Sequence, residues 1–188
     1  MIDKENMKHA LVVGGTGMLQ EVSLWLVRNG YHVSIIARNR ERMEHLIEKA
    51  ESESQITPLL VNYHNDHALQ EIVKKTIKEN GKIDVVLTWI HSNAKKALPI
   101  IMHEVANRSS KWELFHILGS SSNIDKIRRT VKPPENCLYY QIQLGFIIEG
   151  NHSRWLTHQE ISNGVIGAIC TKQNVYTVGQ LEPWEQRP

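Results

Sequence analysis

The chain has 188 residues, 41% hydrophobic and 22% charged, with a net charge of +2; this suits one domain with a buried core. No Lys/Arg block and no interleaving of aromatic with basic residues marks a nucleic-acid face, and no apolar run approaches the roughly 20 residues needed to cross a bilayer, so neither nucleic acid nor membrane is expected as a partner. Cys137 and Cys170 stand far apart in neutral surroundings that suit reduced thiols, and the first nine residues are too polar and acidic for a signal or transit peptide, so a cytoplasmic protein is expected.

Residues 10–19, A-L-V-V-G-G-T-G-M-L, read as a strand, a tight turn and a helix start, with a helical pattern running from residue 18 to about 28. Glycines in such a turn permit positive φ and let a ligand approach without Cβ interference, while the first free amides of the helix attract a phosphate. Gly14, Gly15, Thr16, Gly17, Met18 and Leu19 are therefore the candidate cradle for the pyrophosphate of a dinucleotide. The alternative is a turn that only joins a strand to a helix. A small residue that would let the helix pack closely on the strand is expected near Gln20 and is not there.

Strand and helix patterns then alternate. Asn29-Gly30 ends the first helix, and residues 31–37 form a β-branched second strand closed by Arg38. Asn39 caps a helix striped by Met43, Leu46, Ile47 and Ala50; residues 57–61 make a third strand, with Pro58 tolerated at its beginning. Asn65 caps a helix over residues 66–80 that stops at Gly81, and residues 84–90 make a fourth strand. Residues 93–107 are helical by spacing, with a kink or a lost hydrogen bond expected at Pro99. Residues 112–118 form a fifth strand, residues 123–131 at most a short basic helix, and residues 138–148 one rather long sixth strand. A capping box at Thr157 and Glu160 opens a helix to about residue 168 or 170, and residues 175–178 make a last strand.

This alternation predicts an α/β fold: a doubly wound, mostly parallel sheet of about six to seven strands in a three-layer αβα arrangement. Ligands of such sheets bind outside the carboxyl ends of the strands, where strand order reverses. The loops expected there carry Gly14 to Gly17, then Arg38 and Asn39, Asn62 and Tyr63, Trp89, Ile90 and His91, Gly119 and Ser120, and last Gly145 and Phe146.

On these residues the chain resembles the short-chain dehydrogenase/reductase superfamily, over most of its length and in order. The turn G-G-T-G-M-L is similar to that family's variable glycine-rich loop, and Ala37-Arg38-Asn39-Arg40 is similar to the end of strand two in members that prefer NADP. Val61-Asn62-Tyr63 falls where the family places an Asp or Asn beside adenine, whereas Thr88-Trp89-Ile90-His91 departs from its usual Asn-Asn-Ala-Gly stretch. The resemblance implies a single Rossmann-like domain and a nicotinamide cofactor. A carboxylate at the end of strand two would suit NAD and a guanidinium suits the 2′-phosphate of NADP; with Arg38 there and no acid, NADP is expected over NAD. Arg40 and Arg42 are second contacts or simply solvated.

The resemblance fails at the chemistry. The family's usual reaction employs a Tyr-x-x-x-Lys pair, and none exists in this chain: Gln143 and Leu144 stand at the lysine positions after Tyr139 and Tyr140. Ser120 falls near the family's catalytic serine, and His91 sits at the cleft side of strand four, so these two are the candidate catalytic residues; cofactor contact or a positioning role is the alternative for both. His64 and His67 are spaced like a metal pair, but no third ligand accompanies them and no metal is expected. Two functions stay open: an NADP-dependent oxidoreductase with a rearranged site and a small-molecule substrate, and a non-catalytic NADP-binding sensor or scaffold with a protein partner. A homodimer through the last helix and last strand is the expected assembly.

Overall fold

The computed structural model describes residues 7–188; residues 1–6, most of the polar leading stretch, lie outside the described residues. The elements run β1 (His9–Val13), α1 (Gln20–Arg28), β2 (His32–Ala37), α2 (Arg40–Glu48), β3 (Ile56–Leu60), α3 (Asp66–Asn80), β4 (Val85–Thr88), α4 (Ala97–Ala106), β5 (Trp112–Leu118), α5 (Ile124–Val131), β6 (Cys137–Leu144), β7 (Phe146–Glu149), β8 (His152–Trp155), α6 (His158–Thr171) and β9 (Val175–Val178). Seven strands form one sheet in the order β3-β2-β1-β4-β5-β6-β9, every pair parallel. This is the Rossmann-like α/β architecture the alternation predicts. No described helix is long and apolar enough to cross a membrane.

The helix starts follow from local side-chain chemistry. Asn39, Asn65, Asn123 and Thr157 each accept a backbone N–H of the first turn of α2, α3, α5 and α6, and Thr157 with Glu160 completes the capping box. Gly81 ends α3 at φ 87°, a conformation a side chain would resist.

Two apolar layers flank the sheet. Val22, Leu26, Met43, Leu46, Ile161 and Val165 place α1, α2 and α6 on one face, where they meet Val12, Leu87, Phe115 and Ile142. Leu69, Val73, Leu98, Ile101 and Val105 place α3 and α4 on the other, where they meet Leu11, Val13, Val86 and Leu114. Val131 of α5 joins this second layer. The crossovers β5-α5-β6 and β6-α6-β9 advance across the sheet in one direction but use opposite faces, so they have opposite hands. The last crossover thereby returns α6 to the face of α1.

Four expectations are corrected. The long sixth strand is two strands: β6 ends at Leu144, and β7 leaves the sheet to pair antiparallel with the unexpected β8. Gly145 turns the chain; its N–H donates to the Val178 carbonyl (2.8 Å), and a Cβ there would strike the Gln180 backbone. Arg154 of β8 secures the hairpin, bonding both Glu160 oxygens (2.9 and 3.0 Å) and Glu149 (2.8 Å). Pro99 causes no break, because it is the third residue of α4, in the first turn where no intrahelical donor is required. Pro58 lies inside β3, not at its start, and is tolerated because β3 is the sheet edge. The Val61 N–H donates to Ala37, so alternation aims the missing donor of Pro58 at the open side. The fourth strand stops at Thr88, which leaves Trp89, Ile90 and His91 in the following loop.

At the amino edge a buried polar chain ties β1 and β2 to α3. His9 Nδ1 bonds the Gly81 carbonyl (2.9 Å) and Nε2 bonds Ser34 Oγ (2.8 Å), which bonds Thr76 Oγ1 (2.7 Å). Burial pushes the His9 pKa down, so the neutral ring, donating from Nδ1 and accepting at Nε2, satisfies the chain.

Candidate functional site

The chain moves outward from β1 through β2 to β3 and then returns to the other side of β1 as β4. The carboxyl ends of β1 and β4 therefore bound the switch-point crevice. After β1, Gly14 adopts φ 82°, donates its N–H to the Ile36 carbonyl (2.9 Å), and has the Trp89 carbonyl 3.2 Å from where a Cβ would stand. Gly15 is small for a different reason: a Cβ there would lie 2.8 Å from Ile35 and from Ser23 Oγ. The buried Ser23 hydroxyl reaches the Gly15 carbonyl (3.1 Å) and the Leu19 carbonyl (3.2 Å). Close packing of helix on strand, expected of a small residue near Gln20, is thus supplied by Gly15 and Ser23. Around Gly17 the space is open.

Leu19 is the N-cap of α1, and its side chain is fully buried and makes no capping bond. The first-turn amides of α1 thus lack the side-chain acceptor that α2, α3, α5 and α6 have; the Gln20 N–H donates to the Gly17 carbonyl (3.0 Å), and the partial positive charge of the remaining helix start is left for another acceptor. Beside them an open pocket of about 470 Å³ is lined by Thr16, Gly17, Met18, Arg42, His158 and Ser162, with Glu21 as its one carboxylate. Ser162 donates to the Met18 carbonyl (2.8 Å), which fixes the loop against α6.

The other sequence-predicted residues divide into open and occupied. Arg38 is exposed and its guanidinium has no partner among the described residues, whereas Arg40 faces Glu44 at 3.9 Å. The Asn39 side chain is taken up by its cap, accepting the Arg42 N–H (2.8 Å), and Asn62 accepts the His64 N–H (3.1 Å) in a local turn. Tyr63 is buried and its hydroxyl accepts the His91 N–H (3.4 Å), which links the loops after β3 and β4. Ile90 packs toward the α3 and α4 layer. Gly119 has open space around it at the end of β5.

His91 is exposed, its ring 6.3 Å from that of Trp89 between centroids. The Ser120 carbonyl, with that of Ser122, accepts the Gln143 side-chain amide (3.2 and 2.9 Å). No hydrogen bond joins His91 to Ser120 among the described residues, so the geometry does not assemble them as a proton relay. Gly145 and Phe146 are paired to the C-terminal segment: Phe146 exchanges backbone hydrogen bonds with Gln180 (2.9 and 2.8 Å) and its side chain is fully buried. The small size of Gly145 is explained by Gln180.

Sequence reasoning missed a buried polar group on the α3 and α4 face of β5 and β6. His116 Nδ1 meets the Tyr139 hydroxyl at 2.9 Å, and Gln141 bridges Arg128 Nε (3.1 Å) to the Ile124 carbonyl (3.0 Å). The signal was present: Tyr139, Gln141 and Gln143 alternate along a strand covered on both faces. Burial pushes the His116 pKa down to about 4 and raises that of Tyr139, keeping both neutral. Tyr139 is therefore a structural hydroxyl, poorly suited to deliver a proton.

The family model for short chain dehydrogenases matches residues 8–104, from β1 into α4. No curated protein matches. Among solved structures, the fold is shared with an alcohol dehydrogenase from the archaeon Thermococcus sibiricus complexed with 5-hydroxy-NADP, at 14% identity and TM-score 0.71 over 97% of this chain and 99% of that one. It is shared too with the F189W actinorhodin polyketide ketoreductase with NADPH, at 10% identity and TM-score 0.71 over 95% and 98% of the two chains. A short-chain dehydrogenase/reductase from Serratia marcescens is similar at 12% identity and TM-score 0.71, over 92% and 96%. With the family model covering more than half of its length on this topology and glycine loop, the chain belongs to the short-chain dehydrogenase family.

Proposed function

We propose that the chain binds NADP(H) across the carboxyl edge of its sheet and serves as an oxidoreductase with a non-standard active site. The observation that carries this reading is the uncapped start of α1 beside Gly14 and Gly17, with the Arg42 side chain lining the same pocket and Arg38 exposed and unpaired at the end of β2. The residues fit the group: glycine backbone and free amides suit a pyrophosphate, and a guanidinium suits a 2′-phosphate. Gly14, Gly15, Thr16, Gly17 and Met18 would hold the pyrophosphate, and Arg38 with Arg42 the 2′-phosphate. The open space beside Gly119 suits a small-molecule substrate. When bound, the cofactor supplies hydride transfer; Ser120 would orient a substrate oxygen and His91 would hold the proton.

One observation favours a second reading, a non-catalytic NADP-binding sensor or scaffold. No tyrosine has a lysine four residues later, and burial holds Tyr139, which lies on the strand after α5, neutral. Calorimetric titration with NADP and NAD tests the shared basis. The expected result is at least tenfold tighter binding of NADP, abolished by Arg38→Asp; equal affinity would remove the preference. Oxidation of NADPH with a panel of carbonyl compounds then separates the readings: turnover supports the enzyme, and binding without turnover supports the sensor.

A further inference from the structure

We infer that Trp89 is the residue that decides whether the nicotinamide half of a dinucleotide can enter the crevice, an inference that rests on the NADP(H) reading above. The strand order carries the argument. β4 lies between β1 and β5, so any ligand held by the glycine loop after β1 that reaches Gly119 and Ser120 after β5 must cross the end of β4. Trp89 is the first residue beyond that end.

Its side chain lies on the α1 side of the sheet. Val85 and Leu87 belong to the apolar layer of α1, α2 and α6, and Trp89, next in the alternation, packs against the same layer. A Cβ on Gly14 would stand 3.5 Å from Trp89 Cβ and 3.6 Å from Cδ1 of the indole, so the ring abuts the glycine loop. The ring also meets that of His91, tilted at 59°, and the His91 backbone is held by the Tyr63 hydroxyl. An indole is thus braced against the first loop at the end of the strand that lies between the α1 terminus and the end of β5. The adenine half, placed toward Arg38 at the end of β2 on the other side of β1, does not cross it. Trp89 is only half-buried, so its ring faces the crevice on one side, and the cost of displacing it from its contacts with the glycine loop falls on the nicotinamide half alone.

Calorimetric titration with 2′,5′-ADP and with NADPH separates the two halves. For the wild type the two ligands are expected to bind within about threefold of each other. Trp89→Ala is expected to tighten NADPH at least tenfold while leaving 2′,5′-ADP within twofold. An unchanged NADPH to 2′,5′-ADP ratio in that variant overturns the inference and leaves the cofactor reading intact. Binding of neither ligand to the wild type overturns the cofactor reading itself. Should Trp89→Ala fail to fold, the difference in tryptophan emission between wild type and Trp89→Phe serves instead. That difference should change with NADP and stay constant with 2′,5′-ADP, and the same change with both ligands refutes the assignment.

Discussion

His116 should make the fold sensitive to mild acid. The residue is 8% exposed, bonded to Tyr139, and held by burial at a pKa of about 4 against 6.5 for an ordinary imidazole. The folded value is depressed, so between the two values the unfolded chain takes up the proton first. The associated stability is fully present above pH 6.5 and is lost as the pH falls toward 4. At ~1.4 kcal/mol per pH unit, the loss is about 2 kcal/mol at pH 5 and about 3 kcal/mol at pH 4. Against a total of roughly 5–15 kcal/mol that is a large share. His9, also depressed by burial, acts in the same direction, so a comparison must isolate His116. Urea unfolding of wild type and His116→Asn between pH 7.5 and about 4 does so. The variant starts less stable, because the Tyr139 hydroxyl loses its partner, and the gap should narrow by about 3 kcal/mol on acidification. A gap that stays constant across the range would refute the reasoning, as would an imidazole that titrates near 6.5 in the folded protein by NMR.

Three further outcomes are expected. Arg42→Ala should weaken NADP binding roughly tenfold by calorimetry, whereas Arg40→Ala, which removes only an exposed pairing with Glu44, should leave it unchanged. Gly145→Ala should lower stability by about 3 kcal/mol in chemical denaturation, since its Cβ meets the rigid Gln180 backbone and no flexible side chain can yield. Thr157→Ala should lower it by about 1 kcal/mol in the same assay, through loss of the α6 cap.

The elements legible in the sequence are those whose causes are local. Asn39, Asn65 and Thr157 announce helix starts because their side chains bond amides three residues ahead. The β-branched runs give β1, β2 and β4 because a parallel sheet covered on both faces selects them. The break at Gly145 was hidden because its cause, Gln180, arrives 35 residues later. β8 has no strand pattern of its own and is held by Arg154 to Glu149 and Glu160. The edge position that tolerates Pro58 is a property of strand order, which periodicity does not contain. At the candidate site, the positive-φ turn at Gly14 and the exposed Arg38 at the end of β2 were legible from residue type. The separation of His91 from Ser120 was not, because each sits on a loop whose course is set by partners elsewhere, Tyr63 for one and Gln143 for the other.

The bond from Ser162 to the Met18 carbonyl spans 144 positions of the chain. It makes the glycine loop dependent on a helix that is synthesised long after it. Strands β1 to β5 can pair while α6 is still being synthesised, but the loop gains its brace only after residue 162 has emerged and α6 has crossed back over the sheet to lie against α1. The loop is therefore braced only well after its own synthesis, and a chain cut short before α6 would carry the whole glycine motif without the support that shapes it.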